Sequence, residues 1–451
     1  MTQDFLRIAG LMSGTSMDGV DAALLTSNGE DVAALGATLT MPYPQNLRKE
    51  LQKIIEELSD WSQTPDFHFD RRWILRQSEE FTARLHALER DLTLSHAECL
   101  QQLLVQSQAK KSPEDQKKSL GKYKLDLIGF HGHTILHHPA RRFTWQLGDG
   151  TLLSEIMQTP VIYDFRSQDV AAGGEGAPLV PIYHRARVQA ANLPRPIAVV
   201  NIGGVANITW IGQDAQEATP LILAFDTGPG VALLDDFAQT YFGVEFDQGG
   251  AVASQGRVIE TLLKELCDHP WFHRSPPKSL DRNAWRRFIA ELMPPTLFTT
   301  QTMAEGSGRF PDGSLEAIPE IIPEIIQEAQ HRKRPFFSAA DGAATLAAFT
   351  ARAIALALRH VPEPPKQILL AGGGRRHKML MTRIAAEIAA IDATIECRDI
   401  DQLGWDGDGF EAEAFAFLAV RSYYHMPISF PSTTKVPHPL CGGVLVRPES
   451  K

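Results

Sequence analysis

Phe5 to Thr26 reads FLRIAGLMSGTSMDGVDAALLT, and the fold follows from its three parts. Phe5–Met12 is an apolar run, Ser13–Gly19 is turn chemistry, and Val20–Thr26 resumes as a strand. Asn28-Gly29 is a hairpin signal, so a third strand near Asp31–Met41 completes an antiparallel meander. The turn carries Gly14 and Gly19, the hydroxyls of Thr15 and Ser16, and then Met17, Asp18, Val20 and Asp21. Glycines let the backbone approach a ligand, and successive N–H groups form an anion-binding nest. A carboxylate at Asp18 beside a phosphate implies an intervening cation, Mg²⁺. The alternative is a polar hairpin loop. No Lys follows the second glycine, so this is not the P-loop pattern.

Working outward, residues 45–106 are helical in pattern, with Ile74, Phe81, Leu85 and Leu88 at helical spacing. Leu125–Phe130, Phe143–Leu147 and Pro160–Tyr163 are short strand-like runs. The opening pattern then returns. Ile197–Ile202 is a strand, Gly203-Gly204 a turn, Val205–Ile211 a strand, and Leu221–Phe225 a third strand entering a turn at Asp226-Thr227-Gly228-Pro229-Gly230. Helices follow, notably Ala343–Leu358. Gln367–Ala371 is a strand entering Gly372-Gly373-Gly374, and Glu411–Tyr424 is a second apolar helix. The recurrence predicts two related α/β lobes, 1–195 and 196–425, with 426–451 a tail packing back on the first. Glycine turns brought together from two lobes would enclose a nucleotide. Residues 107–122 read as a solvated loop and 304–340 as an irregular insertion.

Composition narrows the classes. The chain has 451 residues with a net charge of −10, which gives no general attraction to nucleic acid or an anionic membrane. Cys99, Cys267, Cys397 and Cys441 are far apart, which fits reduced cysteines in a cytoplasmic protein better than disulfides or a zinc site. No run of about 18 apolar residues predicts a spanning helix, and the first residues do not read as a secretory signal.

Two polar clusters remain. Asp164–Leu179 reads DFRSQDVAAGGEGAPL, at the expected lobe junction, where clefts form. Asp164 reads as an ion-pair partner of Arg166 or as a cap. A carboxylate in a cleft can also serve as a general base. His131, His133, His137 and His138 form the second cluster. A His-x-His strand could hold a metal, but no Cys supports it, and hydrogen bonding to a substrate is the stronger reading.

These pieces together resemble the anhydro-N-acetylmuramic acid kinase family of the sugar kinase/Hsp70/actin superfamily. The resemblance rests on GLMSGTSMDGVDAAL (10–24), IGFHGHT (128–134), QLGDG (146–150), DFRSQDVAAGGEGAPLVP (164–181), NIGGVANIT (201–209), FDTGPG (225–230), PPKSLDR (276–282), GGG (372–374) and EAEAFAFLA (411–419). It implies two actin-like (ribonuclease H-like) lobes with ATP in a cleft between them. It also implies a reaction in which ATP and Mg²⁺ convert 1,6-anhydro-N-acetylmuramic acid into N-acetylmuramic acid 6-phosphate, in cell-wall recycling.

The family's general base falls on Asp169, and its first phosphate loop on Gly14–Asp21, with Asp18 towards Mg²⁺. The nucleotide site then takes in Gly203, Gly204, Asp226, Gly228, Gly230 and Gly373. The sugar site takes in His131, His133, Thr134, Gln146 and Arg166. Two positions depart from the family pattern: His133 and Glu175 each stand where Gln is usual. Glu offers only acceptors when ionised, so the sugar contacts are where this chain would differ. Rival readings are a levoglucosan kinase and a nucleotide-gated module without sugar chemistry. The apolar helices near 343–358 and 411–424 could supply a homodimer face or a core.

Overall fold

The opening meander forms as its sequence dictates. β1 (Leu6–Met12) pairs antiparallel with β2 (Gly19–Ser27), and β2 with β3 (Val32–Pro42). Asn28 closes the second turn by accepting from the N–H groups of Glu30 and Asp31 at 2.9 and 2.7 Å. β4 (Leu127–Phe130) lies parallel to β1, and β7 (Val161–Tyr163) parallel to β4. The hairpin of β5 (His133–His138) and β6 (Phe143–Leu147) stands apart as its own two-stranded sheet. The C-terminal β15 (Val444–Val446) adds antiparallel to β7, giving the order β15-β7-β4-β1-β2-β3. The structure is a computed structural model, and it describes residues 3–14, 17–109, 124–213, 221–280, 282–294, 297–299 and 337–449. Thr15, Ser16, Asp281, most of the 107–122 stretch and residues 304–336 lie outside them.

Side-chain alternation gives this sheet two different faces. Ala9, Leu11, Ile128 and Phe130 pack with Leu47, Leu51, Ile54 and Leu58 of the helix Gln45–Ser62, and with Leu85, Leu88 and Leu92 of the helix Glu79–Ala109. Those helical positions recur every three or four residues, one apolar stripe. Gly10 and Gly129 face the other way, against the helix Phe410–Tyr423. A Cβ on Gly10 would lie 1.8 Å from Ala412 O, and one on Gly129 2.2 Å from Phe415 O. Helix backbone therefore rests directly on strand backbone, which is why this helix is rich in alanine. Its buried Glu413 accepts from the Tyr183 hydroxyl and pairs with Arg187 at 3.5 Å.

The second sheet repeats the strand order: β10 (Ile222–Pro229), β9 (Val205–Ile211), β8 (Ile197–Ile202), β13 (Gln367–Ala371), β14 (Glu396–Asp399). The two-residue link Gly203-Gly204 makes β8 and β9 an antiparallel pair, and β13 and β14 are parallel. Phe298–Thr299 (β11) and Phe337–Ser338 (β12) form a small parallel pair. The expected turn at 226–230 begins later than the sequence suggests. Asp226–Pro229 continue β10, an edge strand where a proline removes no needed donor.

By compactness the chain divides into two units, Met1–Val199 with Thr209–Phe225 and Ile400–Lys451, and Val200–Ile208 with Asp226–Asp399. A division at 425 leaves the helix Phe410–Tyr423 in the second lobe, but its packing partners are β1, β2 and β4. The helix Ala339–Ala357 is capped by Ser338 and Asp341, each bonding the other's N–H at 3.1 Å. With the following turn to His360 it is apolar and long enough to cross a membrane, but 78% of that window is buried inside the protein. Both apolar helices are thus core elements, and neither offers an uncovered face for a homodimer.

Candidate active site

In the first unit, polar side chains gather beyond the carboxyl ends of β1, β4 and β7. Asp169 sits on the short helix Ser167–Ala171 and is 2% exposed. Its Oδ1 accepts from Gly176 N–H at 2.7 Å and its Oδ2 from the Thr434 hydroxyl at 2.6 Å. Both donors are neutral, so the carboxylate is held without an ion pair and keeps lone pairs free. The loop fits around it because Gly174 has no side chain: a Cβ there would lie 2.1 Å from Oδ1.

Arg166 does not pair with Asp164. It donates from Nε to His131 Nε2 at 3.0 Å and from a terminal nitrogen to Gly176 O at 2.7 Å. Asp164 instead accepts from Ser167 and lies 3.7 Å from Arg71. His131 must therefore carry its proton on Nδ1, which donates to Gly132 O at 2.8 Å. Burial and then the Arg166 charge hold His131 well below the ordinary histidine pKa, in agreement with a neutral acceptor. Burial lowers Arg166 to about 10, which leaves it charged at neutral pH.

His131 and His133 are not on one strand. β4 ends at Phe130, and Gly132, at φ 70°, turns the chain before β5 begins. The His-x-His metal geometry is therefore absent, and no group of three His, Cys, Asp or Glu among the described residues is placed to hold a metal ion. His133 Nδ1 lies 2.8 Å from Ser13 Oγ, which itself accepts from the Tyr43 hydroxyl at 2.8 Å. Tyr43, Ser13 and His133 thus form one buried hydrogen-bonded chain, in which the Ser13 hydroxyl can either donate to Nδ1 or accept from it. Burial pushes the His133 pKa down to about 4.

Gln146 on β6 donates to Thr134 Oγ1 at 3.2 Å and to Thr144 Oγ1 at 2.8 Å, while its buried Oε1 meets no donor. A buried acceptor without a donor is what a ligand hydroxyl or amide N–H would satisfy. His137 links Thr144 Oγ1, at 2.9 Å, to Glu175 O, at 3.0 Å. Glu175 itself pairs with Lys435 at 3.2 Å, which gives a carboxylate at this position a partner that an amide would not need. Sequence reasoning missed Ser13, Tyr43, Thr144 and Thr434. Each is an ordinary hydroxyl residue, marked only by what the fold brings near it.

The first turn is tight: Met17 N–H donates to Gly14 O at 3.1 Å, and Met17 has φ 56°. A Cβ on Gly19 would lie 2.2 Å from Met41 O. Asp21 on β2 accepts from Thr40 Oγ1 at 2.6 Å. Burial, followed by the charges of Asp18, Glu411 and Asp408, pushes its pKa up to about 7 against the Thr40 bond.

In the second unit the predicted residues are mostly backbone. Gly230 N–H donates to Gly204 O at 3.0 Å and Val231 N–H to Gly203 O at 2.9 Å, which ties two of the glycine turns together. A Cβ on Gly230 would fall 2.0 Å from Gly203 O, and one on Gly372 (φ 80°) 2.3 Å from Asn201 Oδ1. Gly373 has nothing within 4 Å of its Cβ position. The helix Ala232–Phe242 starts from this glycine floor, an arrangement suited to an anion. Gly228 has a packing role, since its Cβ position is 2.8 Å from Ala353 Cβ. Asp226 accepts from Leu280 N–H at 2.8 Å and donates its own N–H to Lys278 O at 2.9 Å. Lys278 Nζ in turn donates to the carbonyls of Trp271 and Phe272 at 3.3 and 3.1 Å, and burial lowers it to about 8.

The same strand order present twice, with polar side chains at the strand ends of one sheet and a glycine floor at those of the other, defines an α/β protein with a duplicated sheet. The sequence pattern of anhydro-N-acetylmuramic acid kinases matches residues 6–66, 70–292 and 323–447, and the chain belongs to that family. The match runs through 107–122 and skips 293–322, so the expected insertion at 304–340 is only partly outside it. Relatives named anhydro-N-acetylmuramic acid kinase include that of Acidiphilium cryptum, 39% identical over 97% of this chain and 98% of its own. That of Paramagnetospirillum magneticum is 39% identical over 96% and 98%, and that of Rhodopseudomonas palustris 38% over 97% and 98%.

Proposed function

We propose that this chain is an ATP-dependent kinase that opens 1,6-anhydro-N-acetylmuramic acid with water and phosphorylates O6, giving N-acetylmuramic acid 6-phosphate and ADP. The observation that carries this reading is Asp169, a buried carboxylate held only by neutral donors inside a ring of polar groups. An intramolecular acetal has no free hydroxyl to phosphorylate. Water attacks the anomeric carbon and Asp169 takes its proton. The C1–O6 bond breaks, and O6 forms its bond to the γ-phosphorus as the bond to ADP breaks. Positioning supplies much of the rate in such a transfer.

His131, His133, Thr134, Gln146 and Arg166 hold the sugar, with the orphaned Gln146 Oε1 accepting from a sugar hydroxyl or the acetamido N–H. Gly14–Asp21, Gly203, Gly204, Gly230 and Gly373 serve the nucleotide through backbone N–H groups; Asp226 and Gly228 shape that site from behind. Asp18, in the first turn, is the residue towards Mg²⁺, which the nucleotide's phosphates would bring with them. When bound, Mg²⁺ neutralises charge on the phosphates. The reading needs two small molecules, ATP and the anhydrosugar, and no nucleic acid, membrane or second subunit. It places the enzyme in the cytoplasm, recycling peptidoglycan fragments.

The test is a coupled ADP-release assay with Mg·ATP and the anhydrosugar, with the product weighed by mass spectrometry. Sugar-dependent ADP release with the 6-phosphate as product is expected. A folded protein inert on this sugar but active on levoglucosan would replace the reading with the rival one.

A further inference from the structure

Asp169 reaches across 265 positions of sequence to Thr434, whose hydroxyl donates to Oδ2 at 2.6 Å. The threonine is 0% exposed. Several contacts hold it there. It ends the short helix Pro431–Thr434, with its N–H on Phe430 O at 3.0 Å. Its carbonyl accepts from Glu175 N–H at 2.6 Å, and the next residue, Lys435, pairs with Glu175 at 3.2 Å. Further on, β15 pairs with β7, the strand that leads towards Asp169. The C-terminal segment therefore clasps both the carboxylate and the glycine loop that closes over it.

We propose that Thr434 is a positioning residue for the base: its hydroxyl, with Gly176 N–H on the other oxygen, fixes the rotation of the Asp169 carboxylate so that its remaining lone pairs face the attacking water. This rests on the reading of Asp169 given above. The carboxyl torsion of an aspartate is intrinsically soft, so one donor leaves it free to turn and two donors on different oxygens lock it. A hydroxyl orients the group without neutralising it, as a lysine or arginine there would. A small misorientation of a reacting group costs far more in rate than in binding.

The test compares Thr434→Val, Thr434→Ala and Thr434→Ser with wild type, measuring kcat and both KM values after circular dichroism and thermal melting establish folding. The valine variant removes the hydroxyl at constant shape, and the alanine variant replaces it if valine does not fold. A loss of about 10- to 100-fold in kcat is expected, the worth of one hydrogen bond to a charged group. Both KM values stay within about twofold, and serine restores kcat to within about threefold of wild type. A folded valine or alanine variant with near wild-type kcat overturns the proposal. So does a serine variant as slow as valine, or KM values that rise in step with the loss of kcat. Wild-type protein without sugar-dependent ADP release overturns instead the reading of the site, and this proposal with it.

Discussion

The two sheets share a strand order and carry different chemistry at their ends. Beyond β1, β4 and β7 stand side chains: Ser13, bonded to His133 at 2.8 Å, and His131, Arg166 and Asp169, joined by bonds of 2.7–3.0 Å to one another or to neighbouring backbone. Beyond β8, β10 and β13 stand glycines whose Cβ positions are filled by neighbouring atoms or left open. Ligands of open α/β sheets sit at the carboxyl ends of strands, so both sheets offer the same place. What differs is the group presented. Side chains can titrate, orient a sugar and move a proton. Backbone N–H groups at glycine present a fixed partial positive charge at close range, which suits phosphate and resists variation.

The sharpest way to break this contrast is Asp169→Asn. It keeps the shape and removes the proton acceptor, so kcat falls by about 10³-fold, inside the range of general-base contributions. The melting temperature should move little. A variant retaining even a tenth of wild-type turnover would place the base elsewhere.

Glycines of the other sheet give the next effect, and two of them should behave oppositely. Gly230→Ala drives a methyl into Gly203 O, a backbone atom that cannot move aside. It should destabilise by roughly 3 kcal/mol or more in denaturant melts. Gly373→Ala meets no atom, so its stability should stay within about 1 kcal/mol of wild type. Its KM for ATP should rise about tenfold, because the methyl occupies the approach to the backbone. Equal losses of stability at the two positions would mean that the floor is only packed glycine, with no ligand side.

The sequence announced the inner strands of both sheets well, because short apolar runs bounded by glycine have few alternatives, but not the edge strands β14 and β15, which are short and carry no such signal. Gln367–Ala371, Ile197–Ile202 and Val205–Ile211 form over the residues expected. Asp169 became a candidate only through the family motif, since nothing local marks one aspartate among many. What the sequence could not announce is long-range. Thr434 belongs to an unremarkable STTK stretch, and only the fold brings its hydroxyl to Asp169, 265 residues away. The helix Phe410–Tyr423 lies on β1 because Gly10 and Gly129 leave room for it, a match visible only once the two are docked. Turn residues misled where a strand ran on. Asp226-Thr227-Gly228-Pro229 has the composition of a loop, yet an edge strand accepts its proline.

The last contrast lies within the first unit, between two carboxylates. Asp169 is held by two neutral donors, whereas Asp21 is half-buried near Asp18, Glu411 and Asp408, with only Thr40 against the crowding. Asp21 has its folded pKa raised from 3.8 to about 7. Between those values the folded protein holds a proton that the unfolded chain has released. Stability from this group therefore falls as pH rises from about 4 to about 7, and the full penalty persists above. Asp21→Asn removes the charge and keeps an acceptor for Thr40. Without nucleotide, the variant should melt together with wild type below about pH 4 and a few degrees above it at about pH 8, the gap opening between. A gap independent of pH, or a variant that melts lower at about pH 8, would show that neighbouring groups already relieve the crowding.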